Sequence, residues 1–159
     1  MDRIDRVSIV GMGAMGILYG DFFANALGRE QVTFLADSDR ARRYRNTPVY
    51  CNGRKMDFRI QDGAVPDSQG PAQLLLFAVK ATALGDAISV AGNQVGKDTV
   101  ILSVLNGITS EAVIGEALGM DHVLYCVSQG MDAVKLGNEL TYSHMGQICI
   151  GIPEDQAYK

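Results

Sequence analysis

Short apolar runs alternate along the chain with longer stretches whose apolar residues recur at helical spacing. Residues 6–12 (RVSIVGM) form a short β-rich run. Residues 14–28 follow, with Ile17, Leu18, Phe22, Ala26 and Leu27 recurring at helical spacing and Gly28 as a stop. Residues 31–37 read as a second strand, and 38–45 as a short helix with Ser38 at its N-cap. Two runs around Asn52-Gly53 predict a hairpin over 49–60, and 61–73 reads as loop. Residues 74–80 (LLLFAVK) are continuously apolar up to the lysine, the mark of a strand buried on both faces. A helix over 81–96, a strand over 98–107 and a helix over 109–119, capped by Thr109 or Ser110, come next. A strand over 122–130 and two strands around Met145-Gly146 within 138–152 complete the pattern.

Strands that alternate with helices, and are themselves buried, predict an α/β fold. Its form is a Rossmann-type, doubly wound, mostly parallel sheet covered by helices on both faces, with an antiparallel hairpin near the C-terminus. No repeat, low-complexity segment or shift in composition divides the chain, so residues 1–159 read as one domain. The closing PEDQAYK is polar and leads into no further element, as if a segment followed it.

Composition adds exclusions. A length of 159 residues, 47% hydrophobic and 20% charged, suits one soluble core. The net charge of −4 argues against general nucleic-acid binding. No apolar run nears the roughly 18 residues a spanning helix needs, and MDRIDRVSIV lacks a signal-peptide core. The expectation is a cytoplasmic protein with neither nucleic acid nor membrane as partner. Cys51, Cys126 and Cys149 are scattered, as are His122 and His144, so no metal site is expected and the cysteines read as small apolar residues.

The candidate chemistry begins at Gly11-x-Gly13-x-x-Gly16, between a predicted strand and a predicted helix. Gly11 permits the tight turn, Gly13 leaves room for a pyrophosphate, and Gly16 lets the helix lie close on the sheet. The stretch Gly11, Met12, Gly13, Ala14, Met15 and Gly16 is the candidate cradle, with the helix N-terminus offering unpaired N–H groups. A turn serving helix packing alone explains Gly16 but not Gly13.

Asp37 ends the second strand, 21 residues beyond Gly16, where a carboxylate suits the ribose hydroxyls of NAD. Arg40 then falls in the first turn of a helix, against the macrodipole, unless a 2′-phosphate of NADP lies beside it. A solvated helix face explains Arg40, Arg42, Arg43 and Arg45 equally well, so residue chemistry leaves NADP and NAD both open. Lys80 and Asn106 end two further strands at the edge where ligands gather in open α/β sheets. Singly, each fits a solvated strand end or a turn; together they favour a site.

These stretches, VSIVGMGAMG, LLLFAVKA, ILSVLNGI and GNELTYSHMGQICIG in that order, resemble ketopantoate reductase (2-dehydropantoate 2-reductase) from about residue 6 to residue 152. The resemblance implies an N-terminal Rossmann domain that binds NADPH and a C-terminal helical domain, together reducing 2-dehydropantoate to (R)-pantoate on the route to pantothenate and coenzyme A. It implies a pyrophosphate at Gly11–Gly16, cofactor contacts at Lys80 and Asn106, Asn106 also near the substrate, and a backbone contact at Ala133. The family's catalytic lysine and its further substrate residues belong to the helical domain, which lies beyond this chain. Residues 1–159 are then the dinucleotide-binding part, with no catalytic residue of their own, and are expected to be inactive alone. Asp37 departs from the arginine that many members carry. It keeps open an NAD-dependent D-2-hydroxyacid dehydrogenase, alongside a non-catalytic nucleotide-binding regulatory module. A 2-keto acid is the expected small-molecule partner, and apolar surface left by an absent half allows for homo-oligomers.

Overall fold

The computed structural model describes residues 3–152; the polar closing stretch 153–159 lies outside them. Five strands build the central sheet: β1 (Val7–Val10), β2 (Val32–Ala36), β5 (Arg59–Asp62), β6 (Leu74–Phe77) and β7 (Val100–Ser103). Their order is β5-β2-β1-β6-β7, and every neighbouring pair is parallel. The chain works outward from β1 to one edge, then returns to place β6 on its other side, so the direction of winding reverses between β1 and β6.

The sheet is buried on both faces because its apolar side chains alternate between two cores. Val10, Leu35, Leu75, Phe77 and Ile101 point to one, where they meet Leu84, Ala87 and Ala91 of α3 (Leu84–Ala91) and Ile114 of α4 (Ser110–Leu118). Val7, Ile9, Phe34, Leu74, Leu76 and Leu102 point to the other, against Tyr19 and Phe23 of α1 (Ala14–Leu27). Covering both faces removes the need for polar alternation, which is why these strands read as unbroken apolar runs.

A second, four-stranded sheet packs on the outer side of α1. Its order is β4 (Arg54–Met56), β3 (Val49–Cys51), β10 (Glu139–Thr141), β9 (Val134–Leu136). The turn between β3 and β4 is the predicted Asn52-Gly53, with φ of 49° and 74°. A two-stranded antiparallel sheet joins β8 (Tyr125–Gln129) to β11 (Gln147–Gly151). The parallel Rossmann-type sheet and the antiparallel pairing towards the C-terminus are thus as the pattern predicts.

Several local expectations need correction. Residues 59–62 leave the hairpin and pair with β2, because Arg59 is held by Asp67 through two contacts of 2.8 and 2.9 Å and so lies along the sheet edge. The two strands around Met145-Gly146 pair with other partners: β10 with β9 and β3, and β11 with β8. The helix over 81–96 is regular only at α3 and is flanked by 3-10 turns. Ser38 is not the cap of α2 (Ser38–Asn46); Asp37 is. Thr109 occupies the N-cap position of α4 without a side-chain cap, and Ser110 bonds Ser103 and Glu111 instead. Strands β6 and β7 stop three residues short of Lys80 and Asn106. Cys149 is exposed rather than a buried apolar residue, while Cys51 is buried.

Candidate functional site: the C-terminal edge of the parallel sheet

Register places the candidate residues together. Val10 aligns with Leu35 and with Phe77, and Phe77 with Ser103, so the segments after β1, β2, β6 and β7 leave the same edge. They carry the glycine loop, Asp37, Lys80 and Asn106 in turn. Ala78 donates its N–H to the Val10 carbonyl at 2.8 Å, and Val104 to that of Phe77 at 3.0 Å, extending the pairing into these segments.

The three glycines do different work. Gly11 has φ of +106°, and a Cβ there would strike the Ala78 carbonyl oxygen. A Cβ on Gly16 would strike the Gly11 carbonyl oxygen and would touch the Phe34 ring at 3.6 Å, so this glycine closes the loop on itself and lets the helix lie against the sheet. Gly13 has nothing within 4 Å of its Cβ position. It is the N-cap of α1, with ordinary φ of −83° and no side-chain cap. Nothing within the chain requires a glycine at 13, and bare backbone there leaves a space open to an outside group. Met12, Ala14 and Met15 are half-buried around it, and the first N–H groups of α1 have no partners inside the helix. The residues present therefore fit a diphosphate. Gly20 was not singled out by sequence; its Cβ would lie 2.8 Å from the Phe34 ring, and it brings α1 onto the sheet. Its signal was a second glycine four positions after Gly16.

Asp37 turns one carboxylate oxygen to the head of α2, accepting the N–H of Arg40 at 2.8 Å. Its other oxygen lies 3.6 Å from the Arg40 guanidinium. The conflict between Arg40 and the helix dipole is thus relieved within the chain. Lys80 and Asn106 are both exposed, Asn106 being followed by Gly107 at φ +105°. Among the described residues no hydrogen bond holds either side chain, which leaves an ammonium and an amide available at the edge.

Ala133 reaches the same region from a distant part of the chain. It lies just before β9 and packs, with Met131, against the buried cluster Ile17, Leu18, Val49, Cys51 and Leu140. Met12, Ala14 and Met15 pack against that cluster too. Between Met131 and Ala133, Asp132 accepts the N–H groups of Ser143 and His144, both at 2.8 Å, and lies 3.1 Å from the His144 ring Nδ1. These bonds pull its carboxyl down to about 2. A Cβ on Gly146 would lie 2.6 Å from the Met131 nitrogen, so the two backbones cross in direct contact.

One group that sequence reasoning missed is a buried carboxylate. Asp21 on α1 is only 3% exposed. It accepts from Arg54 at 2.5 Å, Tyr142 at 2.9 Å and Asn25 at 3.2 Å. The available signal was a lone acid within the otherwise apolar stretch 14–28. A cavity of about 400 Å³ opens beside Met12, walled by Tyr44, Val49, Lys55 and Phe58. A second, of about 380 Å³, starts at Gly107 and is lined by Ile108, Tyr125, Val127 and Ile150. Among the described residues no cluster of His, Cys, Asp and Glu is placed to hold a metal ion, and no helix is long and apolar enough to cross a membrane.

Comparison with known proteins agrees with this geometry. The family model described as ketopantoate reductase PanE/ApbA matches residues 7–155. A 2-dehydropantoate 2-reductase from Geobacter metallireducens GS-15 is 24% identical at a TM-score of 0.70, covering 92% of this chain and 48% of that one. A D-mandelate dehydrogenase solved with NADH and anilino(oxo)acetate is 19% identical at 0.71, covering 90% and 47%. A dimeric ketopantoate reductase from Staphylococcus aureus is 18% identical at 0.67, covering 93% and 52%. These likenesses show the fold, and this chain spans about half the length of the structures it matches.

Proposed function

The chain belongs to the ketopantoate reductase PanE/ApbA family, and from that premise we propose that it is the cofactor-binding half of an NADPH-dependent reductase of 2-dehydropantoate. Residues 1–159 form the dinucleotide-binding domain, and a helical substrate domain outside them completes the enzyme, in the cytoplasm and on the route to pantothenate. The observation that carries this reading is the free space at Gly13, facing unpaired N–H groups at the switch point of a parallel sheet. Gly11 to Gly16 hold the pyrophosphate; Asp37 and Arg40 face the adenosine ribose; Lys80, Asn106 and the Ala133 backbone orient the rest. Asn106 offers both a donor and an acceptor, which suits the carbonyl side of a 2-keto acid. When bound, a reduced nicotinamide supplies hydride chemistry, and the residues of this chain bind and orient it. The proton donor is assigned to the helical domain, so the chain alone is proposed to bind cofactor without turning over substrate.

Asp37 favours a second reading. A carboxylate at the end of β2 accepts ribose hydroxyls and repels a 2′-phosphate, as an NADH-dependent 2-hydroxyacid dehydrogenase requires; one of the structural neighbours, a D-mandelate dehydrogenase, was solved with NADH. Titration with both reduced nucleotides separates the two readings. Tighter NADPH binding supports the first and tighter NADH the second. Gly13→Ala should weaken either by about tenfold or more, ~1.4 kcal/mol, while leaving the melting temperature in place. A homo-oligomer is proposed as well, through exposed Ile108, Val127 and Ile150.

A further inference from the structure

A carboxylate that is only 3% exposed must be matched by donors, because stranding a charge away from water is costly. Besides Asn25 on its own helix, Asp21 is matched by two donors that come from outside it. Arg54 belongs to β4, and Tyr142 follows β10 directly. Tyr142 is tied a second time, its N–H donating to the Asn52 side chain at 2.9 Å in the β3–β4 turn. Cys51 of β3 is buried beside the same carboxylate. The edge strand β4 and the segment after the inner strand β10 therefore meet at one acid on α1. Burial and the Asp21 hydrogen bond push the Tyr142 hydroxyl up to about 12, so it stays protonated and donating at any ordinary pH.

That sheet leads directly to the site. Met131–Ala133 runs into β9, which pairs with β10, and β10 with β3. Asp132 binds the backbone of Ser143 and His144, immediately after Tyr142. A shift of Tyr142 is thereby transmitted to Ser143, His144 and the segment Met131–Ala133, which packs on the cluster that also seats Met12 and Met15. Resting on the cofactor reading above, we propose that Asp21 is a positioning residue: with Arg54 and Tyr142 it latches the four-stranded sheet to α1 and so fixes the Met131–Ala133 wall of the nucleotide crevice. Asp21 lies on α1, the helix whose N-terminus faces the diphosphate, so cradle and wall share one reference element.

The test uses Tyr142→Phe and Asp21→Asn in the 159-residue chain. As a control, Ile114→Val trims a buried residue in the core on the opposite face of the central sheet. Backbone amide signals of residues 131–133 are recorded without nucleotide, and dissociation constants for NADPH and NADH are measured by titration. The latch predicts that Tyr142→Phe and Asp21→Asn move the 131–133 signals and raise the dissociation constant about fivefold or more. Ile114→Val should lower the melting temperature and change neither readout. Arg54→Lys, which keeps a cation, should retain most of the affinity that Arg54→Met loses. Should Asp21→Asn not fold, Tyr142→Phe, which deletes one oxygen, decides alone. Unchanged 131–133 signals, or unchanged affinity in folded variants, would overturn the proposal. If the wild-type chain binds neither nucleotide, the functional reading fails, and the nucleotide-free amide signals still decide whether the latch exists.

Discussion

Asp132 contributes its stability through an ionised carboxylate, since its bonds to the Ser143 and His144 backbone and to the His144 ring hold the carboxyl at about 2, below the ordinary 3.8. A folded-state pKa below the unfolded one gives stability that is fully present above the unfolded value and is lost as pH falls towards the folded one. The crossing of the segments 131–133 and 142–144 should therefore loosen between about pH 4 and pH 2, seen as acid-dependent shifts of the Ser143 and His144 amide signals. Asp132→Asn should remove that acid dependence, whereas signals that still titrate would assign it to another group. Burial, with Asp21 beside it, pushes Cys51 up to about 11, and Cys149 is exposed. A thiol reagent at pH 8 should modify Cys149 readily and Cys51 only after unfolding; equal rates by mass spectrometry would contradict the burial of Cys51. The sequence marked Asp37 as a candidate ribose ligand and Ser38 as the helix cap, whereas the structure gives the cap to Asp37. A carboxylate at a strand end fits a ribose ligand or a helix cap equally, and only the distance to the Arg40 N–H shows that one oxygen is already engaged.

Among the elements, the glycine loop sorts its members by what surrounds them. Gly16→Ala would force a Cβ into the Gly11 carbonyl and should cost about 3 kcal/mol, lowering the melting temperature by roughly 6–12 °C. Gly13→Ala meets no neighbour and should stay within about 0.5 kcal/mol of wild type. Thermal unfolding of the two variants checks the pair, and equal losses would mean that the loop is built differently. The central strands were legible because burial on both faces leaves a continuous apolar run, as in LLLF at β6. β5 was not, since Arg59–Asp62 is a polar edge strand whose pairing depends on Asp67 from outside the strand. The terminal strands were recognised as strands but assigned to each other, because strand propensity carries no information about partner and the pairings of β10 with β3 and β11 with β8 are set by tertiary packing.

For the whole molecule, parallel order and the switch between β1 and β6 bring together residues that stand 95 positions apart in the chain, from Gly11 to Asn106. The order of motifs made that edge readable in advance. The attachment of the second sheet through Asp21 was not, because it joins a helix, a hairpin and a loop with no shared motif. Exposed apolar positions at Ile108, Val127 and Ile150 predict self-association that rises with concentration. Val127→Asp should shift light scattering towards monomer, and an unchanged mass would rule out that face. The most direct test of the central claim is titration of the chain with NADPH and NADH, followed by backbone amide signals. The account predicts saturable one-to-one binding of at least one of them, with shifts concentrated at Gly11–Gly16, Lys80, Asn106 and Ala133. Binding of neither, or shifts confined to other parts of the chain, would contradict it.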